Sequence, residues 1–474
     1  MENMKLPRLA VALAPVAILI FSLILLIITR GASSVSDFGP WLLLMAAAMS
    51  VFLSRMSGTL NYKQLYNGMR RSFGQLLPAV PVLVCISMVA ATWMLSGIVP
   101  TMIYHGLRWL NADIFLFMAC GVCAFISVLL GSSWTTIATI GVAFMGIGTA
   151  LGYSDGWIAG AIISGAYFGD KVSPLSDTTV IASSTCGVDL FSHIRFLMTT
   201  AAPAMGITLL IFLCVGFSTT SHPASHSAEI ADAIAGTFNL SPWLLVVPVV
   251  TGLMCAFRVK SVVVLAVSAA MGLAAMYVFQ PQIVEQVAAG RGAISMVFGV
   301  LFTETELSTG SELLDSLVAT GGVQGMLPTV LLVMCAMVFG GVLIGTGMLA
   351  SITRSLNARL SGRGKVVGAT VGTGLLLNSC TADQYLSIIV GGNIYRDLYA
   401  RCGYDPRLLS RSLEDSISVT SPIIPWNSCG VTQSTVLGVS TVVYFPYCFF
   451  NYLTPLISIL LASVVHRERC AVKA

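Results

Sequence analysis

Two aspartates and a lysine, Asp170, Lys171 and Asp177, fall within GAYFGDKVSPLSDTTVIASSTCGVD (Gly165–Asp189), a stretch interrupted by Pro174 and set between long apolar runs. An ionised side chain at bilayer depth costs roughly 2.5–3.5 kcal/mol, so such groups are kept where ions or protons move. Pro174 removes a backbone donor, and Gly169 and Gly187 loosen the helix on either side. Carbonyls and amides freed by such a break can replace water around a small cation. Asp170 and Asp177 add hard oxygen ligands that can exchange a proton for Na⁺. Ser173, Ser176, Thr178 and Thr179 add neutral oxygens suited to a weakly held monovalent ion. Lys171 can pair with one aspartate or be displaced by the ion.

A second set of polar groups sits near the other end of the chain. Asp383 and Gln384 lie in NSCTADQYLSIIVGG (Asn378–Gly392), followed by Glu414-Asp415, Thr420-Ser421-Pro422 and Pro425-Trp426-Asn427. Two prolines three residues apart disfavour an unbroken helix at Pro422–Pro425. Blander readings compete at several positions. Glu414 or Asp415 can simply pair with Arg407 or Arg411, Asp189 and His193 read as solvated residues at the membrane boundary, and Ser132, Ser133, Thr135 and Thr136 can satisfy helix carbonyls. Glu304, Glu306, Glu312 and Asp315 read as a solvated outer loop.

The elements that must position these groups are membrane helices. Hydrophobic residues make up 56% of the 474 and charged ones 9%, against roughly a quarter charged in soluble domains. Apolar runs such as Leu9–Ile28, Pro78–Leu95, Ile114–Leu130, Phe196–Phe217, Val262–Phe279, Leu327–Gly345 and Tyr444–Val465 approach the ~20 residues that span a bilayer. The expected fold is all-α, a polytopic membrane protein with ten to twelve transmembrane helices. Ala288–Phe302 reads equally as a short span or an interfacial helix. The first apolar run is too long for a signal peptide and lacks a cleavage site, so it reads as a retained span. The twelve cysteines are scattered singly and behave as small hydrophobes. A net charge of +4 fits basic cytoplasmic loops and calls for no nucleic acid.

Basic residues at Lys5, Arg8, Arg55, Lys63, Arg70, Arg71, Arg354, Arg359, Arg363, Lys365, Arg467, Arg469 and Lys473 mark cytoplasmic loops and place both termini inside. No Lys or Arg occurs between Arg195 and Arg258, and the polar stretch Ser218–Asn239 in that gap reads as external. It divides the chain into a first membrane repeat (1–220), an external linker (221–240) and a second repeat (241–474). Gly131–Gly141 is answered by Asn378–Gly392, and Gly169–Val188 by Glu414–Val431. Ser132 with Ser379, Asp170 with Asp415 and Cys186 with Cys429 lie 247, 245 and 243 residues apart. An inside N-terminus and an external linker give the first half an odd number of crossings, so its copy is inverted. Inverted repeats place a site near the midplane, where discontinuous helices meet.

Enzyme signatures are missing from the sequence: no His is followed by Glu, and there is no nucleophile elbow or Walker A loop. AGAIISGAYFGDKVSPLSDTT (Ala159–Thr179), LLLNSCTADQYLSIIVGG (Leu375–Gly392), SRSLEDSISVTSPIIPWNSCGV (Ser410–Val431) and GGVQGML (Gly321–Leu327) resemble the NhaC-type Na⁺/H⁺ antiporters of bacteria. The resemblance implies alternating-access exchange of cytoplasmic Na⁺ for external H⁺ across the bacterial inner membrane, with no cofactor. It implies inverted repeats with broken-helix or hairpin motifs. Asp170, Ser173, Asp177, Thr178, Asp383, Gln384, Asp415, Thr420 and Asn427 become the ion-binding candidates. Asp170, Asp177 and Asp383 are the proton-coupling positions and the expected ligands of transported Na⁺. Members of the same family exchange organic acids, so Li⁺, a small organic acid or an amino acid are alternative cargoes, and a homodimer is an open assembly. Val180–Thr185, VIASST, departs from the family pattern in lacking a proline.

Overall fold

The computed structural model describes residues 6–464 apart from 32–33, 219–223, 258, 289–291, 306, 308, 310–313, 316–317 and 357–361. Lys5, Arg258, Glu306, Glu312, Arg359, Arg467, Arg469 and Lys473, used above for orientation or loop assignment, lie outside the described residues. The chain is all-α. Among the described residues the sole β feature is one bridge, Thr305 to Thr320.

The first half contains α1 (Leu9–Arg30), α2 (Ser34–Met56), α3 (Tyr62–Leu95), α4 (Ile98–Trp109), α5 (Phe115–Leu130), α6 (Ser133–Ala150), α7 (Asp155–Val172), α8 (Asp177–Cys186) and α9 (Leu190–Ser218). Two bridging helices follow, α10 (Ala224–Thr237) and α11 (Val246–Ala256). The second half has α12 (Ser261–Phe279), α13 (Pro281–Ala288), α14 (Ala293–Phe302), α15 (Gly322–Gly345) and α16 (Met348–Leu356). It ends with α17 (Arg363–Thr381), α18 (Gln384–Arg401), α19 (Pro406–Ser416), α20 (Ser428–Leu437) and α21 (Phe449–Val464). Among the described residues eight helices are long and apolar enough to cross a membrane, or up to 11 spans if three sharply bent pairs each count as one. The helices α13 and α14 are bent by 89° to each other, so Ala293–Phe302 is one arm of a broken pair. Likewise the polar linker is not a plain loop. Ile230, Ile234 and Phe238 of α10 and its C-terminal flank are buried in the main hydrophobic core.

Backbone punctuation repeats along the chain at one fixed interval. Gly131 and Ala382, both left-handed, are 251 residues apart, as are the N-caps Ser132 and Asp383, the first residues of α8 and α20, and the left-handed Gly187 and Gly438 that close them. This corrects the drifting offsets of 247, 245 and 243 obtained from shared residue types. In the structural register Asp170 answers to Ser421, Asp177 to Ser428, Asp383 to Ser132 and Asp415 to Ser164. The fold is duplicated, but the charges are not.

The copies run in opposite directions. Adding a Cβ to Gly341 of α15 would bring it to 2.9 Å from Met69 of α3, and one on Gly345 to 2.6 Å from Leu65, so the start of α3 lies on the end of α15. Ser87–Met94, at the other end of α3, lines one cavity with Gly321–Met326, at the start of α15. Such backbone approach is how membrane helices gain packing without a hydrophobic drive.

In each half, two helices fold back as a hairpin. Tyr153 donates to the Ala112 carbonyl (2.8 Å) and Phe115 packs on Phe144, closing α5 onto α6. The hydroxyls of Thr370 and Tyr399 (3.0 Å) and of Thr373 and Tyr395 (2.6 Å) close α17 onto α18. The tips are Gly131-Ser132 and Ala382-Asp383. Ala382 is the one non-glycine with positive φ among the described residues, at 56°. A Cβ on Gly131 would stand 2.4 Å from Cβ of Leu175.

Gly131→Ala is therefore expected to lower the unfolding midpoint of the detergent-purified protein, by about 1–3 kcal/mol of strain and overpacking. Ala382→Gly should leave it unchanged or raise it, because it relieves a left-handed Cβ. Tryptophan-fluorescence melting reads both, and equal midpoints for the two variants would contradict this account of the tips.

Candidate functional site

Each hairpin tip docks on the break of the next helix pair. In the first half α7 stops at Val172 and the chain runs extended through Ser173 before α8 restarts at Asp177. Ser173 Oγ donates to the Val128 carbonyl (2.7 Å) and accepts from the Leu175 amide (3.2 Å). Thr179 Oγ1 donates to the Lys171 carbonyl (3.1 Å), and Thr178 and Ser176 share a hydroxyl contact (3.0 Å). In the second half the Ser428 amide donates to the Ala382 carbonyl (2.9 Å). Asn427 Nδ2 donates to Asn378 Oδ1 (2.8 Å) while its own Oδ1 accepts from the Cys429 amide (3.0 Å). Thr420 Oγ1 turns back to the Ser416 carbonyl and accepts from Asn378 Nδ2 (3.3 Å). Ser173, Thr420 and Asn427 thus hold the breaks in place with their side chains.

Because every break restarts a helix, helix N-termini gather at the centre, where unpaired amides and the helix dipole favour negative charge. Asp170 Oδ2 accepts from the Ser133 amide (3.2 Å) and hydroxyl (2.7 Å) in the first turn of α6. Asp177 opens α8 and is exposed. Asp383 caps α18, its Oδ1 accepting from the Leu386 amide (2.7 Å), and Gln384 is buried beside it. Asp170 of the first half and Asp383 of the second thus each accept from amides at a helix N-terminus. Asp170 and Asp177 act on each other. Among the described residues no three His, Cys, Asp or Glu side chains close on one point as a ready metal cage.

Asp415 lies elsewhere. Lys171, 1% exposed, forms an ion pair with fully buried Asp415, which also accepts from Thr200 Oγ1 (3.1 Å) and has Arg411 Nε at 3.7 Å. Asp415 was expected among the ion ligands; the structure commits it to Lys171, Arg411 and Thr200. Asp170 and Lys171 are successive residues, so one helix turn directs one to the α6 N-terminus and the other to α19. His193, expected in solvent, is fully buried and hydrogen-bonded to Ser410 (2.8 Å) because α9 packs along α19. Asp189 is exposed and caps α9 by accepting from the Ser192 amide (2.9 Å). Asp315 anchors its loop by accepting from the Thr309 amide and hydroxyl, which hold its carboxyl below the usual range. Val180–Thr185 continues α8 as regular helix. Among the described residues ten cysteines are free thiols and Cys402 is disulfide-bonded.

Tyr385 and Ser133 are the contributors that residue-type reasoning underrated. Tyr385 stands in the quoted Asp383 motif, and Ser133 is the first residue of a helix whose cap, Ser132, was already suspect. A turn of π-helix at Ile137–Gly141 follows directly, a feature frequent beside functional sites.

The sequence profile of the Na⁺/H⁺ antiporter family matches residues 5–185 and 165–464. The chain belongs to that family. It is 36% identical to the Na⁺/H⁺ antiporter NhaC of Alkalihalophilus pseudofirmus over 80% of this chain and 80% of that one. It is 33% identical to a malate-2H⁺/Na⁺-lactate antiporter of Bacillus subtilis, over 86% of each chain. It is also 32% identical to an arginine/ornithine antiporter of Halobacterium salinarum, over 96% of this chain and 92% of that one.

Lys171→Met and Asp415→Asn are each expected to destabilise the protein strongly, since breaking a buried pair costs about 3–5 kcal/mol. The double variant should lose less than the sum, with a coupling energy of about 2 kcal/mol in detergent melting. Additive losses would contradict the pair.

Proposed function

We propose that the chain exchanges cytoplasmic Na⁺ for external H⁺ across a bacterial inner membrane by alternating access. Asp170, Asp177 and Asp383, with Ser133, Thr178, Gln384 and Tyr385 around them, form the cation and proton site. Ser173, Thr420 and Asn427 shape it through the helix breaks. The reading keeps both termini cytoplasmic and takes the two repeats as 1–220 and 241–474, with α10 in the link between them. A homodimer is compatible with the exposed apolar side chains of α1, including Phe21 and Ile28.

One observation carries this reading. Lys171 is the sole Lys or Arg of the two broken-helix motifs, and Asp415 occupies it. The centre therefore holds three carboxylates and no uncommitted basic side chain among the described residues, which suits a small cation and leaves an organic anion without a counter-charge. Exchange follows from competition, because a carboxylate that holds a proton cannot also bind Na⁺. Asp177 provides an exposed entry on the α8 side. A cavity of about 450 Å³ lined by Ser87, Thr149, Asp155 and Thr435 offers a second approach.

The names of two relatives keep an organic-acid or amino-acid exchanger as the rival. In proteoliposomes carrying a preset pH gradient, Na⁺ alone should collapse the gradient with no organic solute present. Dependence on malate, lactate or arginine would establish the rival instead. Asp170→Asn and Asp177→Asn should each reduce Na⁺-driven exchange to the level of empty liposomes, with Asp383→Asn close behind. Full exchange in the first two would remove the site.

A further inference from the structure

Helices α6, α7 and α20 each lead from the docked tips and breaks to the cavity of about 450 Å³: α6 from Ser133 to Thr149, α7 from Asp170 back to Asp155, and α20 from Ser428 to Thr435. Part-way along, two polar side chains meet. Gln433 of α20 is fully buried, and its Nε2 donates to the hydroxyl of buried Tyr167 on α7 (3.3 Å). The carbonyl oxygen of the same amide, Oε1, has no hydrogen-bond partner. Nor has the hydroxyl of Ser164, fully buried three residues before Tyr167. Asp170 follows Tyr167 by three residues, so Ser164, Tyr167 and Asp170 form one stripe along α7.

Position along α20 gives this contact its meaning. The Ser428 amide holds the Ala382 carbonyl at the second tip, and Thr435 and Val436 line the cavity. Gln433 stands between them, roughly 7–8 Å of helix beyond Ser428. A buried acceptor without a donor costs about 1–3 kcal/mol, and an apolar side chain would fill the same space without that cost. What offsets it is a partner that arrives with positive charge. An amide oxygen is a hard, neutral ligand: it can replace water around a small cation, yet it carries no charge to hold the ion there. Because Nε2 is tied to Tyr167, the amide has one face anchored and its oxygen left for the ion. An organic anion would find no donor in that oxygen.

We propose that Gln433 Oε1, with the hydroxyl stripe of Ser164 and Tyr167, is a neutral-oxygen station for Na⁺ between the cavity and Asp170, and that it sets which monovalent cation passes. At this station the ion trades water for protein oxygens before or after it meets a carboxylate. Coordination alone changes, and no proton moves. The inference rests on the Na⁺/H⁺ reading and adds to it a cation ligand that does not titrate.

The test uses the full-length protein in proteoliposomes carrying a preset pH gradient, whose collapse is followed over a range of Na⁺ and, separately, Li⁺ concentrations. Gln433→Met keeps the length of the side chain and removes its oxygen, whereas Gln433→Glu keeps an oxygen at the same reach. The half-saturating Na⁺ concentration is expected to rise about tenfold in Gln433→Met, with the Na⁺ to Li⁺ ratio of half-saturation changed, and to stay at or below the wild-type value in Gln433→Glu. Gln433→Leu carries the same expectation as Gln433→Met and takes its place if that variant does not fold. Wild-type Na⁺ half-saturation in the variant lacking the oxygen, or an equal rise in Gln433→Glu with the Na⁺ to Li⁺ ratio unaltered, would overturn the proposal. In those cases Na⁺-driven exchange by the wild-type protein leaves the exchanger reading standing. Wild-type liposomes that ignore both cations would instead contradict that reading, and this inference with it.

Discussion

Everything in this molecule depends on interrupted helices being docked tip to break in the middle of the bundle. A helix that stops inside a membrane exposes amides and carbonyls with no water to meet them, a cost tolerated only where protein supplies the partners. Here Ser173 covers the Val128 carbonyl, the Ala382 carbonyl takes the Ser428 amide, and Asn427 clasps Asn378. Once those bonds are made, the helix starts they leave behind are oriented at one centre. The acids are held there by the same amides, as Asp170 is by Ser133. Structure and site are consequences of one arrangement.

The second constraint is the separation of opposite charges by a single residue step. Asp170 and Lys171 are neighbours in the chain, and an adjacent ion pair between them would have silenced both. Helix α7 instead turns the aspartate toward α6 and the lysine toward α19, where Asp415 and Arg411 complete a second, buried cluster. Two electrostatic compartments result, one around Asp170 and one around the Lys171–Asp415 pair.

Much of this was legible from residue types. An excess of apolar runs demanded a membrane protein, Pro174 and the Pro422–Pro425 pair announced the breaks, and Asp170, Asp177 and Asp383 stood out as charges among apolar runs, although Asp177 is exposed and Asp170 only half-buried. What could not be read was which way each side chain faces. The spacing of Asp170 and Asp415 suggested equivalent positions, yet the register fixed by Gly131 with Ala382 and Gly187 with Gly438 pairs Asp170 with Ser421. Repeats preserve turns and caps because the backbone requires them, whereas polar side chains drift once only one copy must bind. His193 shows the same limit, since its burial is decided by the packing of α9 on α19 and leaves no local trace.

The most direct test of a shared centre is to locate an electron-dense monovalent cation. The structure of the protein saturated with Tl⁺, with its anomalous signal mapped, should show one ion between Asp170, Asp177 and the start of α18, with Lys171 still on Asp415. Tl⁺ found at Asp415 in place of Lys171, or bound nowhere near the three helix starts, would contradict the account.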